Sequence, residues 1–167
     1  GGCFVIGGDG PLIVQSGTIT GNQAYNGGGI FVYGELTMTG GSVVKNSATN
    51  GGAVYMAGGT FEQTNSITGN SATSGGAVYV SGGTLTIGGS VKGKAASGGA
   101  VFMTKGTVNV TNGTVSDSEA ENGGAFYMEG GSLNMSGGTV SGSPKGVEVI
   151  KGTFTMSDGS IEQNNDY

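Results

Sequence analysis

Short apolar segments with alternating side chains are separated along the whole chain by glycine- and asparagine-rich turns. One stretch, Asn65 to Gly88 (NSITGNSATSGGAVYVSGGTLTIG), states the pattern. It holds three segments, around Ile67, Val78 and Leu85, and period-two alternation in each predicts β-strands. The first-strand residue recurs as Ile19, Val43, Ile67, Val91, Val115, Val140 and Ile161, at intervals of 24, 24, 24, 24, 25 and 21. The second recurs at Phe4, Ile30, Val54, Val78, Val101, Phe126 and Val147, and the third at Leu12, Leu36, Phe61, Leu85, Val108, Leu133 and Phe154. A fixed period of this size marks a solenoid. Three strands in about 24 residues make one coil of a three-sided β-helix. Residues 1–167 are thus expected to form a single all-β β-solenoid domain of seven coils, a right-handed parallel β-helix by the rule for parallel crossovers.

Alternation also assigns faces. Val54/Met56, Val78/Val80, Val101/Met103 and Phe126/Met128 are expected to point inward, as are Leu36/Met38, Leu85/Ile87, Val108/Val110, Leu133/Met135 and Phe154/Met156. The interleaved series Ala53/Tyr55, Ala77/Tyr79, Ala100/Phe102 and Ala125/Tyr127 is expected to face out. Its next member is Glu148, a carboxylate too costly to bury dry. Gln63 interrupts the inward row and is expected to hydrogen-bond neighbouring backbone. Phe31, Tyr55, Tyr79, Phe102 and Tyr127 then form an exposed aromatic ladder, suited to coil-to-coil stabilisation, lateral contact or glycan binding. Asn22, Asn46, Asn70 and Asn164 each stand three residues after a first-strand residue, with Lys94, Ser118 and Ser143 in that place elsewhere. Asparagine tolerates left-handed geometry and bonds its own backbone, so this row reads as a structural corner ladder.

Composition narrows the function. The 39 glycines follow no Gly-X-Y period, which excludes collagen. A net charge of -5 with no basic cluster argues against nucleic acid. No apolar run approaches the ~20 residues of a membrane helix, so insertion is not expected. Cys3 has no partner for a disulfide and no histidine to activate it, and reads as a small buried hydrophobe. The acids are scattered except for Asp117-Ser-Glu119-Ala-Glu121, which reads as a solvated turn rather than a Ca²⁺ site. Nothing clusters as a catalytic site needs, so no enzyme activity and no cofactor or metal is expected. Thr84/Thr86, Thr107/Asn109, Ser132/Asn134 and Thr153/Thr155 approximate the flat hydroxyl face of an ice binder, which Glu35 and Glu62 interrupt. Asn109, Asn112 and Asn134 begin glycosylation sequons.

Gly-Gly-Ala-Val (51–54, 75–78, 98–101) with Ile-Thr-Gly-Asn (19–22, 67–70) resembles the paired GGA[I/L/V] and FxxN repeats of chlamydial polymorphic outer-membrane proteins. It is similar too to glycine-rich β-helical repeats of bacterial surface and adhesin-like proteins. Ile or Val stands where FxxN has Phe, and no C-terminal membrane barrel accompanies the repeats. The resemblance implies an extracellular, adhesive or structural role at the cell surface.

The chain opens on Gly rather than Met, which reads as a processed form or a segment of something longer. It starts and stops inside a repeat, with no cap in sight, so uncapped ends are expected. First- to second-strand spacing is 11 from Ile19 to Ile30, Val43 to Val54 and Ile67 to Val78 and 10 from Val91 to Val101, and joining Tyr167 to a second copy's Gly1 would give 10. Cys3, Phe4, Val5, Ile6, Leu12, Phe154, Ile161, Asn164 and Tyr167 are therefore expected to mate head to tail. The expected partner is the chain itself in a homopolymer, or the rest of a β-helical shaft. Glycans or host surfaces are further partners. The competing expectation is a monomeric module binding glycan or ice through the aromatic or threonine face.

Overall fold

Val78–Val80 pairs in parallel with Val54–Met56 on one side and Val101–Met103 on the other, like residue above like. A computed structural model describes residues 2–8 and 10–165, and this relation runs through all of them. Phe4–Ile6, Ile30–Val32, Val54–Met56, Val78–Val80, Val101–Met103, Phe126–Met128 and Val147–Val149 form a seven-stranded parallel sheet. First and third strands, together with Gln23–Asn26 and Ser47–Asn50, build a second, 14-stranded sheet. Its two ladders join because Ser132–Ser141 and Thr153–Glu162 each run through a corner as one strand. No α-helix occurs among the described residues. The fold is a parallel β-solenoid with about 24 residues per turn. Seven stacked strands enclose six turns, so the expected seven coils are corrected to about six full turns.

The segment after the asparagine corner, expected to be a turn, is extended and laddered. Gln23–Asn26 pairs with Ser47–Asn50, which pairs with the later half of Ser66–Ser74, and single bridges continue through Ser97 to Asn122. Asn50 Nδ2 donates to Asn26 Oδ1 (2.9 Å) and Asn122 Nδ2 to Ser97 Oγ (3.3 Å), giving a second polar row.

The inward rows are as the alternation predicts. Val54, Met56, Val78, Val80, Leu85, Ile87 and Met103 are fully buried, and each contributes about 1.5–3 kcal/mol by leaving water. Gln63 is also buried, and its amide bonds backbone as expected, donating to Asn65 O and accepting from Gly89 N (3.3 Å).

Ala53, Ala77, Ala100 and Ala125 correct the outward assignment, since all four lie in the core. Ala77 O accepts both Ala53 N–H (2.9 Å) and Val54 N–H (3.0 Å). Two successive amides aimed at one carbonyl suspend the pleat, as at a bulge, so Ala and the following Val both point inward. The alternation resumes only after Val54. Gly29 shows what this slot faces: a Cβ there would lie 3.1 Å from Ile19 Cγ2 and 3.3 Å from Val43 Cγ1.

The Gly-Gly pair before each alanine has two separate causes. Gly51 has φ +66°, a conformation costly for other residues, and a Cβ there would also collide with Val54 O. Gly52 has no left-handed φ and needs space alone, because a Cβ there would collide with Gly76 O and Ser71 O of the next coil.

Candidate functional site

Three side-chain rows and two end surfaces carry whatever the coil does beyond folding. In the asparagine row, Asn46 N (2.9 Å) and Nδ2 (3.1 Å) both donate to Asn70 Oδ1. Asn22 N (2.9 Å) and Nδ2 (3.0 Å) donate in the same way to Asn46 Oδ1. Asn46 Nδ2 also donates to Ile19 O, and Asn70 Nδ2 to Val43 O. The row resumes with Gly93 N to Ser118 Oγ, Ser118 N to Ser143 Oγ and Ser143 N to Asn164 Oδ1. The left-handed residue is not the asparagine but the one before it: Gly21, Lys45, Gly69 and Gln163 have φ of 70°, 55°, 64° and 53°.

Lys94 does not take the asparagine place. Asn70 pairs with Gly93 and Ser71 with Lys94. The fourth repeat is a residue shorter here and lacks the left-handed step. A Cβ on Gly93 would clash with Gly99 O and Ala77 N, so the backbone itself fills the corner. Lys94 points outward and bonds Glu119 at 2.7 Å, while Lys92 lies 3.8 Å from Asp117. The hydrogen bond to Glu119, then its charge, raises the Lys94 pKa, and the same contact lowers that of Glu119. The Asp117–Glu121 turn is thus engaged by lysines of the preceding coil. No cluster of three potential metal ligands occurs among the described residues.

The aromatic row is continuous. Phe31, Tyr55, Tyr79, Phe102 and Tyr127 stack with centroids 5.3, 5.1, 5.0 and 5.3 Å apart and planes within 28°. It is less exposed than expected, since the tyrosines are half-buried and Phe102 is buried. Each inner ring has both faces covered by neighbours, so the row shows solvent its edges. Sugar rings bind aromatic faces, and these faces are occupied. Burial raises the Tyr79 phenol pKa above its ordinary value, against a smaller opposing hydrogen bond with Thr104. Glu148 follows Tyr127 in register, and its carboxylate accepts Gly123 N–H (2.8 Å).

On the third-strand face, Thr84, Thr107, Ser132 and Thr153 align in one file and Thr86, Asn109, Asn134 and Thr155 in another.

The end surfaces expose what is interior elsewhere. Ile161, Met156 and Val149 are 38–42% exposed, whereas Val140, Met135 and Met128 one coil inward are at most 2%. At the opposite end Phe4 is 41% exposed, and Cys3 is exposed too. Cys3 occupies the alanine slot, as its N–H and that of Phe4 both bond Gly29 O (3.0 Å). Its expected burial fails because no described residue forms a coil above it. A cavity of about 290 Å³ opens there, lined by Cys3, Phe4, Val14, Ile19 and Met38. Ile6 is buried, and Leu12 and Phe154 are half-buried against the core. Tyr167 and the Val5 side chain lie outside the described residues.

Comparison with protein-family models, curated proteins and solved structures finds no match. The geometry of the coil therefore carries the functional argument alone.

Proposed function

We propose that this protein is a non-catalytic structural element of an extracellular bacterial surface fibre, assembled through its coil ends. It stacks head to tail with further copies or continues a longer β-helical shaft. The asparagine row carries this reading, because it is directional. The backbone N–H groups of Asn22, Asn46, Gly93, Ser118 and Ser143 each donate to a side-chain oxygen of the next coil, and among the described residues no backbone N–H of the row donates to a side-chain oxygen of the preceding coil. Among the described residues, Asn22 Oδ1 at one end receives no donor and Asn164 N–H at the other reaches no acceptor. A head-to-tail joint pairs these two and a head-to-head joint cannot. The same joint lays Val147, Phe154 and Ile161 against Phe4, Leu12 and Ile19 of the next copy, covering the exposed apolar ends. Such a contact is heterologous and does not close, so it propagates.

Electron microscopy of the purified chain tests this. Filaments with the coil axis along the fibre are expected, and Phe4→Lys or Ile161→Lys removes them. Separate rods of one chain length at high concentration, or unchanged fibres from both variants, overturn it.

The in-register threonine and asparagine files favour one second reading, a monomeric module binding ice or glycan through that flat face. Thermal hysteresis or glycan-array binding lost on Thr86→Lys, in a chain that stays monomeric, would establish it instead.

A further inference from the structure

Four Asn-Gly steps occur in the chain: Asn26-Gly27, Asn50-Gly51, Asn112-Gly113 and Asn122-Gly123. Asn-Gly is the dipeptide most prone to spontaneous deamidation, because glycine lacks the Cβ that would hinder attack by its own nitrogen. The coil treats the four differently. Gly27 N donates to Asn50 O and Gly51 N to Ser74 O, both at 2.9 Å. Gly123 N donates to Glu148 Oε2 at 2.8 Å. The three asparagines beside them form the second polar row, tied to one another or to Ser97. In each case the attacking nitrogen is held toward the next coil and the side chain is held in a ladder.

Asn112-Gly113 has neither restraint. Asn112 is exposed in the turn between Thr107–Val110 and Thr114–Ser116. Among the described residues its side chain makes no hydrogen bond, and no group accepts from Gly113 N–H, although Thr111 N and Thr114 N on either side are bonded to the preceding coil. The matching step of a later coil shows that a side chain in this corner reaches that nitrogen, since Gly159 N donates to Asp158 Oδ1 at 2.7 Å.

We propose that Asn112 is a spontaneous modification site, the one Asn-Gly step the folded coil leaves open to deamidation. Gly113 N bonds to Asn112 Cγ as the Cγ–Nδ2 bond breaks, and ammonia leaves with the proton from Gly113 N. Water then opens the succinimide at either carbonyl, giving aspartate or isoaspartate. Both products add a negative charge to an already acidic surface. The isoaspartyl product also lengthens the backbone at a tight corner, where even a Cβ on Gly113 would lie 2.6 Å from Ile87 Cγ2.

The test is peptide mapping by tandem mass spectrometry of the intact chain, held folded in mildly alkaline buffer and, in parallel, in urea. In the folded chain Asn112 is expected to convert about tenfold or more faster than Asn26, Asn50 and Asn122, which react only through local opening. In urea the four rates converge to within a few-fold. Equal folded rates, or the same ratios folded and unfolded, overturn the proposal. Asn112→Gln supplies the second control: the digest peptide spanning 106–145, taken from the chain incubated folded, is expected to lose its fast deamidation signal, and persistence of that signal at the unsubstituted rate also overturns the proposal.

Discussion

Asn46 sits directly over Asn70, and its N–H and Nδ2 converge on the single oxygen Asn70 Oδ1. The same side chain accepts Asn22 N–H and donates to Ile19 O, so one buried amide ties three coils together. Asn46→Ala would leave several buried partners unpaired and is expected to cost about 3 kcal/mol in urea unfolding. Asn46→Ser should cost less, because Ser118 and Ser143 continue the row in their own coils. Equal losses for the two variants would show that the row does not act through side-chain acceptance.

The corner glycines separate by cause. Gly52→Ala drives a Cβ into Gly76 O and Ser71 O and is expected to destabilise by about 3 kcal/mol or to prevent folding. Gly58→Ala meets nothing closer than Tyr33 at 3.6 Å and should be neutral or stabilising by up to about 1 kcal/mol. Thermal denaturation of the two variants side by side tests whether close approach of the next coil is what demands glycine at position 52.

Lys45 holds φ 55° in a place filled by glycine at Gly21 and Gly69. Removing the left-handed cost gains more than glycine's added chain entropy loses, so Lys45→Gly should stabilise by about 0.5–1 kcal/mol. A drop in the melting temperature would contradict this.

Burial raises the Tyr79 pKa, so the folded state favours the neutral phenol. An acid with a raised folded pKa stabilises fully below its unfolded value, about 10 for tyrosine, and that contribution is lost as pH rises through the folded value. The alkaline limb of the stability curve should therefore flatten in Tyr79→Phe, which keeps the ring stack. Phenolate absorbance should show one tyrosine fewer titrating late.

Breaking the stack has a separate cost. Tyr79→Ala removes two ring contacts, at 5.1 and 5.0 Å, and should destabilise by about 1–3 kcal/mol beyond the area lost. Double-mutant cycles with Tyr55→Ala measure that coupling. A cycle summing to zero would reduce the row to independent surface aromatics.

Much of this coil is legible without coordinates. The 24-residue recurrence determined the period, the strand positions and the inward rows, because a stack of parallel strands forces like residue over like residue. It also placed the aromatic and asparagine rows, whose members simply share a register. The tertiary structure decided whatever depends on how the backbone turns between strands. Ala53 lies inside because two amides share one carbonyl, which no two-residue alternation can express. Lys94 lies outside because a one-residue deletion removed a left-handed step, and counting along the chain cannot say which residue the corner gives up. The covered ring faces, the unbonded Gly113 N–H and the direction of the asparagine row are likewise relations between coils. Period is a property of the chain, whereas corner geometry arises only when one coil rests on the next.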